Sequence, residues 1–212
     1  GTTSKIYNNG TLSNKNNTIH LTNTAFIYNL GSISVNNMQG DSNSFIYNLN
    51  KINATTWNGT GGSSAVYNAP NAELTVTGLY SISSTNKFVN EGKATFGNFT
   101  SIGSAQMKNT GTVTVAGKTE INATAARWVN ISTWITETMQ TKGAGNKYFN
   151  NCRLTVNEKL KIESSLWYNV EGAYIETKDF IMTNSHLSME ENSMLNVSNL
   201  AQLIDNRGGD KR

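Results

Sequence analysis

Nine asparagines recur along this chain at nearly constant spacing, and this repeat constrains the fold more than any other feature. Successive members lie 19 to 22 residues apart. A period near 20 residues that tolerates small insertions is typical of a solenoid, in which each repeat forms one coil and stacks on the next. The nine are Asn8, Asn29, Asn48, Asn68, Asn90, Asn109, Asn130, Asn150 and Asn169.

Short segments of alternating polarity surround each repeated asparagine. The residue two positions earlier is always apolar, the preceding residue is often aromatic, and a glycine commonly follows. Alternating segments such as Ile33-Ser34-Val35 and Leu160-Lys161-Ile162 then complete the repeat, which gives about three short strands per coil. We therefore predict an all-β fold, a single-stranded parallel β-helix with about nine coils. Parallel crossovers are overwhelmingly right-handed, so we predict that the helix is right-handed.

Stacking of the coils gives the repeated asparagine a structural role. Neighbouring strands lie roughly 4.8 Å apart, so nine coils form a rod on the order of 40 Å long. Asparagine tolerates the left-handed backbone conformation and bonds to its own nearby backbone. Its amide can also bond the amide of the next coil, so we predict a continuous asparagine ladder.

The repeat defines one domain and a short tail. We expect the β-helix to span residues 1–204 and residues 205–212, which are polar and glycine-rich, to be flexible. After Asn169 the asparagine spacing breaks, which suggests an atypical last coil that seals the core. The chain opens within repeat-like sequence and without Met, so we expect it to be part of a longer, processed protein.

Composition argues against several kinds of partner and cofactor. The net charge of +3 is spread along the sequence without runs, so we predict no nucleic-acid partner. No stretch approaches the roughly 20 apolar residues of a membrane span. His20 and His186 lie far apart, and neither has a ligand-like neighbour, so no metal and no cofactor are predicted. The single cysteine, Cys152, is interpreted as a small packed residue.

Carboxylates offer little basis for catalysis. Glycoside cleavage needs paired carboxylates across a groove. The register of the repeats would bring Glu158 near Asp179 or Glu176, but a solvated face is the favoured interpretation. We therefore predict no catalytic residue and no enzymatic activity.

Aromatic residues just before the asparagines are the main binding candidate. If they point outward, Tyr7, Tyr28, Tyr47 and Tyr67 form a stacked stripe that could hold a glycan or a protein strand. The structural alternative is that the rings pack on each other. Trp57 is a separate candidate in an irregular loop before Gly59. Three further tryptophans occupy positions of the repeat that point inward, and they are predicted to belong to the core: Trp128, Trp134 and Trp167.

Several segments resemble the asparagine-rich repeat region of Bacteroides-type cell-surface proteins that carry a C-terminal LruC-type domain. The likeness runs from about Lys5 to Val197 and is carried by segments 26–35, 88–96, 150–158 and 171–177. Asn150-Asn-Cys-Arg-Leu, which does not repeat, is the most telling. The resemblance implies an exported outer-membrane lipoprotein at the cell surface, with membrane contact only through an N-terminal lipid anchor that this sequence lacks. It transfers no catalytic residue.

The sequence favours a non-enzymatic extracellular module, a stalk or adhesin-like β-helix whose partners would be surface glycans or proteins. A carbohydrate-binding or polysaccharide-cleaving β-helix is the alternative. A third possibility is self-association through open coil ends, and the sequence leaves the oligomeric state open.

Overall fold

The computed structural model describes residues 4–205 of the 212-residue chain. Two strands alternate along this range, a short one of four residues and a long one of ten to twelve. All short strands pair in parallel in one ten-stranded sheet, and all long strands pair in parallel in a second. Each coil is one short strand and the long strand that follows it, so the described residues form a parallel β-solenoid of ten coils.

The strand bounds follow the repeat closely. The short strands are β1 (Lys5–Asn8), β3 (Phe26–Asn29), β5 (Phe45–Asn48), β7 (Ala65–Asn68), β9 (Lys87–Asn90), β11 (Gln106–Asn109), β13 (Arg127–Asn130), β15 (Lys147–Asn150), β17 (Leu166–Asn169) and β19 (His186–Met189). The long strands are β2 (Thr11–Leu21), β4 (Ser32–Asp41), β6 (Lys51–Thr60), β8 (Glu73–Ile82), β10 (Lys93–Gly103), β12 (Thr112–Ala123), β14 (Thr133–Lys142), β16 (Arg153–Glu163), β18 (Tyr174–Thr183) and β20 (Met194–Ile204).

The predicted parallel β-helix is confirmed as a parallel β-solenoid, but the three predicted strands per coil are two. The second and third alternating segments of each repeat belong to one long strand. In most pairs of neighbouring long strands the register shifts in the middle, as between Phe96 and Asn98 where β10 pairs with β8. Such an irregularity bends a strand without ending it. The right-handed winding remains a prediction from the crossover rule.

The asparagine ladder is confirmed. Each amide nitrogen donates to the carbonyl oxygen of the next asparagine, in eight successive bonds of 2.7–2.9 Å from Asn8 to Asn169. The same nitrogen also donates to a backbone carbonyl where the next coil's long strand begins, as from Asn109 to Thr133 at 2.9 Å. From Asn29 onward the ladder is buried, and its amides join the two sheets at one corner of the coil.

The left-handed backbone conformation expected of the ladder asparagines is not found. All nine ladder asparagines lie in strands, and none is among the residues with positive φ. The left-handed conformation occurs instead in the turns, at Asn23, Asn71, Asn184 and Asn192 among others. The expected bond to nearby backbone does occur in several coils, as from Asn90 to Gly92 O at 3.0 Å.

The interior is a continuous column of apolar side chains. The predicted core tryptophans Trp128, Trp134 and Trp167 are all fully buried. Trp57 is also buried, and it lies in β6 rather than in a loop, so its candidacy as a surface ligand site is wrong. The prediction for Cys152 is wrong as well, because this residue is exposed in the turn before β16.

The spacing does not break after Asn169. Met189 pairs with Asn169 in register, so a tenth coil continues the solenoid with methionine in place of asparagine. This coil is not sealed within the described residues: Leu203 at an inward position is 70% exposed. The predicted tail 205–212 lies outside the described residues except for Asp205.

Candidate functional site

The outer face of the short-strand sheet carries the predicted aromatic stripe. The stripe, defined as Tyr7, Tyr28, Tyr47 and Tyr67, lies in register on four consecutive coils. Because side chains alternate across a strand, each ring points away from the core while the next residue, the ladder asparagine, points inward. The four rings therefore lie in one outward column, as the first of the two alternatives required, and their role in binding stays a prediction.

Both alternatives for the stripe hold at once, because the rings point outward and stack on each other. Tyr28 and Tyr47 are parallel within 1° at a centroid distance of 5.3 Å, and Tyr47 and Tyr67 are 4.7 Å apart at 16°. Phe26 and Phe45 form a second stack beside them, at 5.4 Å and 6°. Stacked rings cover each other's faces, so the surface presents mainly ring edges and hydroxyl groups.

The two ends of the stripe differ. Tyr7, in the first described coil, is 67% exposed and is tilted by 48° from Tyr28. At the other end the Tyr67 hydroxyl donates to a carboxylate oxygen of Glu91. This hydrogen bond, with some burial, raises the pKa of Tyr67 to about 12. The stripe is therefore held by a side-chain hydrogen bond at Tyr67, whereas Tyr7 makes only tilted ring contacts.

Beyond the stripe the same face becomes basic. Lys87, Arg127 and Lys147 lie in one column and Lys108 in the next, on coils five to eight. We call these four residues the basic cluster. All four are exposed, and none takes part in an ion pair within the described residues. The Arg127 guanidinium lies 5.9 Å from the ring centre of Phe149, a cation–π distance.

A groove of about 430 Å³ lies within the basic cluster. The column that carries tyrosine on coils one to four carries Val89, Lys108 and Val129 on coils five to seven, and Phe149 on coil eight. The two valines are smaller than the flanking rings, so they leave a depression. Val89, Val129 and the exposed Ile131 line it together with Lys87, Lys108 and Arg127.

Sequence reasoning missed the basic cluster because the four cations are far apart in the chain. The signal was present in the repeat: Lys87, Arg127 and Lys147 each stand three residues before a ladder asparagine. A second buried polar corner was also missed. Asn86 and Asn146 accept hydrogen bonds from the backbone N–H of Ser64 and Ala126, at 3.0 and 2.8 Å, in the turns before the short strands.

The carboxylates singled out from the sequence are each engaged on the outer surface. Glu158 accepts from Lys178 at 2.8 Å, and Asp179 accepts from the Asn199 amide at 2.7 Å. Glu176 pairs with Arg153 at 3.3 Å. The two histidines do not meet: His20 in β2 forms a hydrogen bond with Asp41 in β4 at 2.9 Å, and His186 lies in β19.

Residues 4–205 bring no three side chains of His, Cys, Asp or Glu together as a metal ion would require. None of these residues forms a helix of the length and apolarity that crossing a membrane requires.

The fold and these surface columns define the class of protein: a parallel β-solenoid with an internal asparagine ladder and a short-strand face that changes from aromatic to basic. Comparison of the chain with protein-family models, curated proteins and solved structures found no match.

Proposed function

We propose that the chain is a non-enzymatic extracellular module, a stalk or adhesin-like rod of a bacterial cell-surface protein, which meets its partners along its side. The observation that carries this proposal is the unbroken register of the short-strand sheet over ten coils. Equivalent outward side chains stand roughly 4.8 Å apart along the whole rod. Such columns suit a ligand that is itself long and repetitive, such as a surface polymer.

The aromatic stripe supports lateral contact. Exposed apolar and aromatic surface that is not needed for the core is a common mark of an interaction site. The resemblance to asparagine-rich repeats of Bacteroides-type surface proteins agrees with an outer-membrane lipoprotein at the cell surface, and this localisation is part of the proposal.

The alternative is a carbohydrate-binding or carbohydrate-cleaving β-helix. Sugar binding on aromatic residues usually uses the ring faces, and here the faces of Tyr28 and Tyr47 are covered by their neighbours. The carboxylates Glu158 and Glu176 are each bonded to a cation, which favours a structural role over acid–base catalysis. The first observation argues against sugar rings stacking on the stripe, and the second argues against cleavage, so contact with a glycan elsewhere along the side of the rod remains part of the proposal.

The test is retention of the purified chain on immobilised surface polymers, with release of new reducing ends measured in the same wells. We expect wild type to be retained on at least one polymer and to release no sugar ends. The variant Tyr28→Ser/Tyr47→Ser should lose retention if the stripe makes the contact. The matched control is Tyr174→Ser, which removes an outward ring from the long-strand sheet. Retention on no polymer, or release of sugar ends, would overturn the proposal.

A further inference from the structure

The basic cluster is the strongest unexplained feature of the surface. Like charges directly opposite each other on neighbouring strands destabilise a sheet. Arg127 and Lys147 are direct neighbours in register, yet no carboxylate of the described residues pairs with either. Elsewhere the same solenoid does pair its cations, as in Lys118 with Glu120 and Lys161 with Glu163. Water can solvate these exposed cations, but their gathering around one groove, without a paired carboxylate among the described residues, favours an anionic ligand from outside the chain.

The groove restricts the chemistry of that partner. Its lining combines the apolar side chains of Val89, Val129 and Ile131 with the positive charges of Lys87, Lys108 and Arg127. A ligand that fits must carry a carboxylate or sulfate on one edge and C–H surface on another. A pyranose ring with an acidic substituent has this combination.

We propose that this groove binds an acidic polysaccharide, such as a uronic acid polymer, with its anionic groups on the basic cluster and its sugar rings over the valines. The proposal rests on the function proposed above and names the polymer that the rod recognises. Arginine and lysine form charge-assisted hydrogen bonds with carboxylates, which are about twice as strong as neutral ones. Successive coils repeat the cations along the rod, so a linear polymer meets several of them.

Nucleic acid fits this surface less well. Proteins that bind single strands combine positive charge with open aromatic faces on which bases stack. The rings beside the basic cluster have covered faces: Phe149 stacks on Tyr168 at 4.9 Å and 11°. Four cations over four coils also form a short patch rather than the extended stripe that a duplex requires.

The experiment compares one polymer in two charge states. Binding of the whole chain to polygalacturonate and to its fully methyl-esterified form is measured by titration calorimetry at two salt concentrations. We expect the acid form to bind at least about tenfold more tightly than the ester, and to weaken as salt rises.

Matched variants then locate the site. Lys108→Gln/Arg127→Gln should weaken binding to polygalacturonate by about tenfold or more. Lys118→Gln/Lys161→Gln makes the same change in net charge on the long-strand sheet and should leave the affinity within about twofold. All four positions are outward, so melting curves should confirm that both variants fold.

Each other outcome overturns the inference in a recognisable way. Equal losses in both variants would mean that net charge, not this groove, attracts the polymer. Tighter binding of the oligonucleotide dT20 through the same residues would assign the site to nucleic acid. Equal binding of acid and ester would refute the acidic ligand but leave the lateral-binding rod intact, whereas retention on no polymer at all would refute both.

Discussion

The two faces of the short-strand sheet differ in how far they vary along the rod. On the inner face the position of the ladder is asparagine in nine consecutive coils, and it is buried in eight of them, from Asn29 to Asn169. On the outer face the adjacent position is tyrosine for four coils, then becomes Val89, Lys108 and Val129. Both faces belong to the same strands, so strand length and register cannot explain the difference between them.

The difference shows which residues the fold requires. A side chain at the buried corner donates to two acceptors and accepts from one donor at the strand spacing, and asparagine does this in coils two to nine, from Asn29 to Asn169. The outer position has no such requirement because water can satisfy any polar group there. Changes along the outer columns therefore reflect the surroundings of the rod, and the transition from aromatic to basic side chains is the place to look for a partner.

The largest expected effect comes from breaking the inner column. Asn109→Leu removes the acceptor of Asn90, the donor to Asn130 and the donor to Thr133 O, bonds of 2.8, 2.8 and 2.9 Å. Buried polar groups left without partners each cost about 1–3 kcal/mol, so we expect a loss of about 2–4 kcal/mol in the free energy of unfolding by urea denaturation.

The control for this variant needs an outward asparagine. Asn98→Leu is less suitable, because the Asn98 carbonyl oxygen accepts from the Lys118 backbone N–H at 2.9 Å. Asn58→Leu, at an exposed position of β6, should change stability by less than about 0.5 kcal/mol. Equal losses in Asn109→Leu and Asn58→Leu would contradict the distinction between the two faces.

The second effect tests whether the stripe is part of the fold. Tyr47→Ser removes two ring stacks, with Tyr28 and with Tyr67, and we expect a loss of about 1–2 kcal/mol. Tyr7→Ser at the exposed, tilted end should cost less than about 0.5 kcal/mol in the same denaturation experiment. If the two variants melt alike, stacking contributes nothing measurable and the rings are retained for binding alone.

The inner column was the more predictable face. The period of the asparagines predicted the ladder. The apolar position two residues before each asparagine predicted inward side chains such as Trp128 and Trp167, and both are buried. Both follow from local alternation combined with stacking. The merging of two segments into one long strand was not predictable in this way, because a register shift such as that between Phe96 and Asn98 depends on the neighbouring coil. Trp57 was misplaced for the same reason.

The outer face was less predictable because its chemistry is assembled across coils. Charges that show no run in the sequence come together as the basic cluster, since the period of about 20 residues carries Arg127 and Lys147 into one column. The position of the stripe could be predicted, but the covering of its faces depends on ring orientation. Cys152 shows the same limit: the repeat located it beside a ladder asparagine but did not determine its exposure.

The smallest expected effect lies at the boundary between the aromatic and basic halves, where Tyr67 bonds Glu91. The carboxylate, followed by burial, raises the pKa of Tyr67 to about 12 from an ordinary value of 10.0. A raised folded-state pKa stabilises the fold fully below pH 10 and loses that contribution as pH rises through 12. Glu91→Gln should therefore shift the absorbance titration of this phenol toward its ordinary range, with Tyr67→Phe identifying its component. An unchanged titration in Glu91→Gln would mean that burial alone sets the pKa, and that the stripe ends at coil four without an anchor.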